Sequence, residues 1–143
     1  MRALSAKEYL SQAYQIDKRI NSKLEQVRSL RELSTKATSV TPEAPTSKSK
    51  NVHRLEDVIV KIMDFESEIN KDIDELVELK REIDSVIRKV EPVELQTILE
   101  LRYLSLQPWE QIAVTLHLDI RWVHRKHKKA LGLVDEVLKI IRQ

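Results

Sequence analysis

The chain of 143 residues contains no cysteine and only one glycine, Gly132. Without cysteine there is no disulfide frame, no thiolate metal site and no thiol nucleophile. One glycine cannot build a phosphate-cradling loop or a dinucleotide-binding turn, because those backbones need several positions free of a side chain. Tight hairpin turns lean on glycine as well. Aromatic residues make up only 4% of the chain. No apolar run approaches the roughly 18 residues that span a bilayer, and no secretory apolar segment stands at the N-terminus, so no membrane partner is expected. What is present is 41% hydrophobic and 34% charged residues. That composition points to an all-α protein, with length for one domain or one domain with an extension.

The net charge of +2 conceals an uneven distribution. Residues 1–54 hold 11 Lys/Arg against 5 Asp/Glu, residues 55–91 hold 6 against 12, and residues 92–143 hold 8 against 6. Basic, acidic and weakly basic thirds therefore follow one another, and local pattern says more than the total.

The spacing predicts a first long helix from Ala6 to Leu33, within residues 1–33. Ser5 and Glu8 have capping-box spacing, and Ala13, Ile16, Ile20, Leu24, Val27 and Leu30 recur at helical period. Residues 34–51, with two prolines and eight Ser/Thr, read as a flexible basic linker. A second long helix is expected from Val52 to Val90, within residues 52–91. Its seam reads Ile59, Ile62, Glu66, Ile69, Ile73, Leu76, Lys80, Ile83, Ile87 and Val90, in steps of three and four, as in a coiled coil. Glu66 and Lys80 interrupt the seam, and polar seam residues often fix register. A basic first helix and an acidic second one can attract as an antiparallel hairpin, and an intermolecular bundle satisfies the same seam.

Residues 92–143 read as a separate helical domain. A helix from Pro92 to Leu104 and a loop at Ser105–Gln107 precede the segment Trp109–Leu131, WEQIAVTLHLDIRWVHRKHKKAL. This segment has the parts of a helix-turn-helix. Ile112 and Leu116 share one face, Ala113 is small where a following helix would cross, Leu118 fills the turn, and Asp119 suits an N-cap. Val123, Ala130 and Leu131 are expected to face the core, and Ile120, Arg121, His124, Arg125 and Lys128 to face outward, with Trp122 and Lys129 beside them. From His117 to Leu131 there are five Lys/Arg and one acid. Such a face suits DNA: arginine can bond guanine O6 and N7 together, and lysines neutralise phosphates. The plainer reading is a solvated basic helix on an ordinary bundle.

On these residues the segment resembles the promoter-reading region four of bacterial sigma factors. More specifically, LRYLSLQPWEQIA (Leu101–Ala113), followed by Val123, Arg125, His127, Ala130 and Leu131, resembles small phage and prophage late-gene regulators of the ArpU/RinA-like type. KEYLSQAYQIDKRI near the N-terminus and INKDIDELVELKREI (Ile69–Ile83) are similar to the same family. The resemblance implies sequence-specific binding of double-stranded DNA in a phage or prophage transcription programme, in the cytoplasm and nucleoid of a bacterial host. The helical segment would then supply either a homodimer or a contact with RNA polymerase. Carried onto this chain, the promoter-reading positions are Ile120, Arg121, His124 and Arg125. Three positions depart from the family pattern: His117 stands where glycine is usual in the turn, Lys126 where an apolar residue faces inward, and Ile120 where a polar or aromatic residue is usual.

Other chemistry finds little footing. His124 and His127 lie three apart, yet cations surround them and no third ligand stands beside them, so neither a metal nor a cofactor is expected. The acids of the second helix lack the Glu-x-x-His pairs of a di-iron bundle. No nucleophile–base pair is evident, and the chain is not expected to be an enzyme. Trp109 is expected in the core, while Trp122 suits either a sugar-phosphate contact or a neighbouring helix. The stripe Leu133, Val134, Val137, Leu138 and Ile141 suits packing on the hairpin or a dimer. Two functional alternatives stand beside the transcription regulator: a DNA-packaging recognition subunit, and a helical protein-binding adaptor whose basic helix meets an acidic partner.

Overall fold

The computed structural model describes residues 3–39 and 45–143, and every regular element among them is helical. The order is α1 (Ala6–Leu10), α2 (Gln12–Ser39), α3 (Pro45–Ile87), α4 (Val93–Leu99), a π-helical turn (Glu100–Leu104), α5 (Trp109–Leu116) and α6 (Ile120–Arg142). The chain is all-α, as its composition predicts. It divides into two compact units: a hairpin unit, Asp17–Glu75, and a core unit, Met1–Ile16 with Leu76–Gln143.

Helix reaches further into the expected linker than the sequence suggested. α2 continues to Ser39 and α3 begins at Pro45, which leaves residues 40–44 outside the described residues. The Ser, Thr, Lys and Ala of this stretch carry only modest helix penalties. Proline at the first helical position gives up no hydrogen bond.

Within the hairpin unit α2 and α3 run antiparallel. Arg19 bonds Asp72 at 2.9 Å and Glu75 at 3.1 Å, Lys23 bonds Asp72 at 2.8 Å and Glu68 at 3.5 Å, and Arg31 pairs with Glu66. The seam follows a heptad rhythm on both helices: Ile20, Lys23, Val27, Leu30 and Ser34 on α2, and Leu55, Val58, Ile62, Phe65, Ile69 and Asp72 on α3. This corrects the expected seam. Leu24, Ile59 and Ile73 are exposed, and Glu66 lies on the flank. α3 carries two adjacent apolar stripes that share Ile62 and Ile69, so spacing alone admits either phase. The polar pair decides it. Lys23 faces Asp72, which is almost wholly buried, and hydrogen bonds from Arg19 and Lys23 hold the Asp72 carboxyl below the usual carboxylate range.

The core unit is closed more tightly. Leu10, Ile83, Ile87, Val90, Ile98, Leu99, Ile112, Val123 and Val134 are fully buried. The predicted capping box forms: Ser5 Oγ accepts from the Glu8 amide at 3.2 Å, and Glu8 accepts from the Ser5 amide. The first predicted helix is broken at Ser11 into α1 and α2. α1 is tied to α6, where the Ala6 amide donates to Asp135 at 2.9 Å. The Tyr9 hydroxyl donates to Glu82 at 3.1 Å, and burial, together with that bond, pushes its pKa up to about 12. The second predicted helix ends at Ile87. The Gln96 amide donates to the carbonyls of Ile87, Arg88 and Val90, supplying donors to a helix end that would otherwise lack them.

Candidate nucleic-acid interface

The helix expected at Pro92–Leu104 is two pieces. Pro92 caps α4, and after Leu99 the backbone widens into one π turn, closed by the Ser105 amide donating to the Glu100 carbonyl at 3.0 Å. The extra residue per turn places Tyr103 inside and leaves Arg102 part-exposed. Arg102 is then fixed twice: Nη1 donates to the Gln107 carbonyl at 3.0 Å, and the guanidinium lies 4.5 Å from the centre of the Trp109 ring.

α5 ends in a Schellman motif. The Leu118 amide donates to the Ala113 carbonyl at 3.0 Å and the His117 amide to the Val114 carbonyl at 3.2 Å. This geometry requires a left-handed residue, and His117 supplies it with φ 55° and ψ 42°. The turn where glycine is usual therefore keeps its shape with histidine, a residue enriched at positive φ among those that carry a side chain. The substitution costs about 1–2 kcal/mol of backbone strain. Asp119 then caps α6, its carboxylate accepting from the Arg121 amide at 2.8 Å. That bond and the nearby Arg121 guanidinium hold the carboxyl below its usual range.

α6 has two faces. Val123, His127, Ala130, Val134 and Leu138, in steps of four, three, four and four, are buried. The expected outward residues Ile120, Arg121, Trp122, His124, Arg125, Lys128 and Lys129 are all exposed. Arg121, His124, Arg125 and Lys128 form one row, and Trp122, Arg125 and Lys129 a second beside it. The Arg125 guanidinium sits 5.3 Å from the centre of the Trp122 ring. Arg121 Nε rests 3.3 Å from the Asp119 carboxylate, with 85% of its side chain open to solvent. The row is not uniform, because the His124 ring lies 4.9 Å from that of Trp109.

Behind this face stands a packed cluster that the sequence showed only in part. His127 Nε2 and the Tyr103 hydroxyl share a 2.6 Å hydrogen bond, and Trp109 meets the His127 ring edge-on at 4.5 Å. Burial, with Lys7, Arg102 and His124 nearby, lowers the His127 pKa to about 4. Burial raises that of Tyr103 to about 12. His127 is thus a neutral packing residue at neutral pH. Lys126, unexpected on an inward face, donates to Glu94 at 3.0 Å and bridges α6 to α4. The signal for that pair, a lone acid in the first turn of α4, was visible, but its partner was not.

Residues 34–134 match the family model described as "Protein of unknown function (DUF1492)", most of the chain, and the chain belongs to that family. No curated protein and no solved structure matches it.

Proposed function

We propose that this member of the DUF1492 family is a sequence-specific DNA-binding transcription regulator of a phage or prophage, with the first half of α6 as its reading element and no catalytic role. One observation carries this reading. A capped turn presents a helix whose buried face is locked by Val123, His127 and Ala130, while Arg121, Arg125, Lys128 and Lys129 stand in solvent. The division of labour follows from chemistry. Arg121 and Arg125 lie nearest the N-terminal end, where a recognition helix meets base edges. Lys128 and Lys129 lie further along and suit phosphates, whose neutralisation releases counterions. The fixed Trp109–His127–Tyr103 cluster holds the helix at a set angle to α5. The ArpU/RinA-like resemblance supplies the phage setting and the transcriptional role.

The test is an electrophoretic mobility shift on fragments of the genome that encodes the chain, comparing wild type with the Arg121→Ala/Arg125→Ala variant. Each lost bidentate base contact removes about tenfold or more of discrimination, so the double variant is expected to lose roughly a hundredfold of specific affinity. Wild-type binding should fall with salt by about 0.9 log units per phosphate contact for each tenfold rise. Undiminished specific binding by the double variant would strip α6 of the reading role. No binding by wild type at low salt would leave the protein-binding adaptor in its place.

A further inference from the structure

α3 offers a second helix-spaced stripe that no described residue covers. Ile59, Met63, Ile73 and Val77 are 46%, 63%, 42% and 50% exposed. With Glu66 and Asn70 between them they follow one another in steps of four, three, four, three and four. That rhythm, held for about 27 Å of helix at 1.5 Å per residue, fits another long helix rather than a flat surface or a small ligand. α2 adds to the same side. Leu24, 49% exposed, lies two turns before Arg31, which pairs with Glu66. A groove of about 420 Å³ opens there, lined by Ile59, Ile62 and Met63 with Ser34 and Thr35 of α2.

We infer that this stripe is the interface between two copies of the chain, paired antiparallel through α3 about a two-fold axis. The order of the stripe identifies the occupant. Apolar, apolar, polar, polar, apolar, apolar reads the same from either end, with its midpoint between Glu66 and Asn70. A two-fold interface must be self-complementary, the same surface meeting itself in reverse. In that pairing Ile59 lies against the second copy's Val77, Met63 against its Ile73, and Glu66 against its Asn70. The last contact places a carboxylate against an amide donor, and it occurs twice. A parallel pair would instead set Glu66 against Glu66, two like charges in one seam. The inference stands apart from the DNA reading and does not need it.

Two measurements on the full chain test this. The first is solution mass by sedimentation equilibrium, with the 16.8 kDa chain expected at twice that mass. Met63→Glu and Ile73→Glu are expected to shift the population to monomer at equal concentration. Their helicity should be unchanged, because neither residue belongs to the seam with α2. The Arg121→Ala/Arg125→Ala variant should dimerise as wild type does, which separates this result from the DNA result. The second measurement uses the absence of native cysteine. Met63→Cys protein mixed with Ile73→Cys protein is expected to form a cross-chain disulfide on mild oxidation, while neither forms one efficiently alone. A wild-type monomer at all concentrations would overturn the inference and leave the stripe to a different protein. Dimers untouched by both glutamate variants, or efficient self-linking of Met63→Cys, would overturn the pairing.

Discussion

The hairpin unit and the core unit are built from the same residue types, yet they hold themselves together differently. In the core unit nine large side chains are fully buried, contributed by α1, the end of α3, Val90 in the turn after it, α4, α5 and α6. Among the described residues of the hairpin unit none is: Ile20, Val27, Ile62 and Ile69 are buried but keep 6–8% exposure, and Asp72 sits among them. A cluster enclosed by several helices excludes water from every side. Two helices alone can cover only one seam, so charge takes over where apolar surface runs out, through Arg19, Lys23 and Arg31 against Asp72, Glu75, Glu68 and Glu66. The exposed pairs among them, Arg31–Glu66 and Arg19–Glu75, contribute little each. The value of the whole set is in register: only one phase of α2 against α3 brings Lys23 to Asp72.

The sharpest way to separate the units is to remove core volume from each. Ile98→Ala is expected to cost about 2–5 kcal/mol, toward the upper end because the site is enclosed and cannot collapse. The same change at Ile62 should fall at the lower end, because the seam edge can relax. Urea unfolding of both variants checks the order, and equal costs would break the comparison.

Acid should separate the units next. The pKa of His127 falls from an ordinary 6.5 to about 4 on folding. Below 6.5 the unfolded chain therefore binds a proton that the folded chain refuses. The core unit's contribution from this group is full above pH 6.5 and declines as pH falls toward 4. Asp72 also titrates low, but from an ordinary value of 3.8, so the hairpin unit's contribution is full above that value and is lost as pH falls below it, through the lowered native pKa. Thermal melts from pH 7 to 3 should show the two windows in turn. His127→Gln should flatten the first, and Asp72→Asn the second.

The smallest expected effect is a gain. Gly132 lies inside α6, and a methyl group placed there meets nothing within 4 Å. Gly132→Ala should stabilise the core unit by about 0.5–1 kcal/mol, read as a higher melting temperature.

The helices were legible in the sequence because their cues are local. The Ser5–Glu8 box, the Asp119 cap and the 3.6-residue period of α6 each act within one or two turns. The outward residues of α6 were legible for the same reason, since a cationic row opposite an apolar row needs no partner to be seen. What escaped depended on distant residues. Leu24 shares the apolar period of its helix, and only the distant Asp72 selects Lys23 for the seam in its place. Lys126 looked misplaced until Glu94 met it. The π turn at Glu100–Leu104 has no composition of its own, and only the burial of Tyr103 beside His127 gives it a reason. The prolines and serines of residues 34–51 read as one long linker, yet α2 runs on to Ser39 and α3 already includes Pro45, because propensity alone sets no length.

α6 is one continuous helix of 23 residues whose second half, through Ala130, Val134 and Leu138, belongs to the same buried cluster as α1 and the end of α3. Its first half is anchored too, through Val123, His127 and the Lys126–Glu94 bridge, and only its basic face is open. A partner that meets Arg121 and Arg125 finds a backbone already ordered. The entropy lost on association comes from a few long side chains and from the partner itself, rather than from folding a segment. An anchored rod also carries force. A shift of α1 or α4 against Val134 or Leu138 would be passed along the helix, so packing far from the basic face adds to the hold of the Trp109–His127–Tyr103 cluster on its angle.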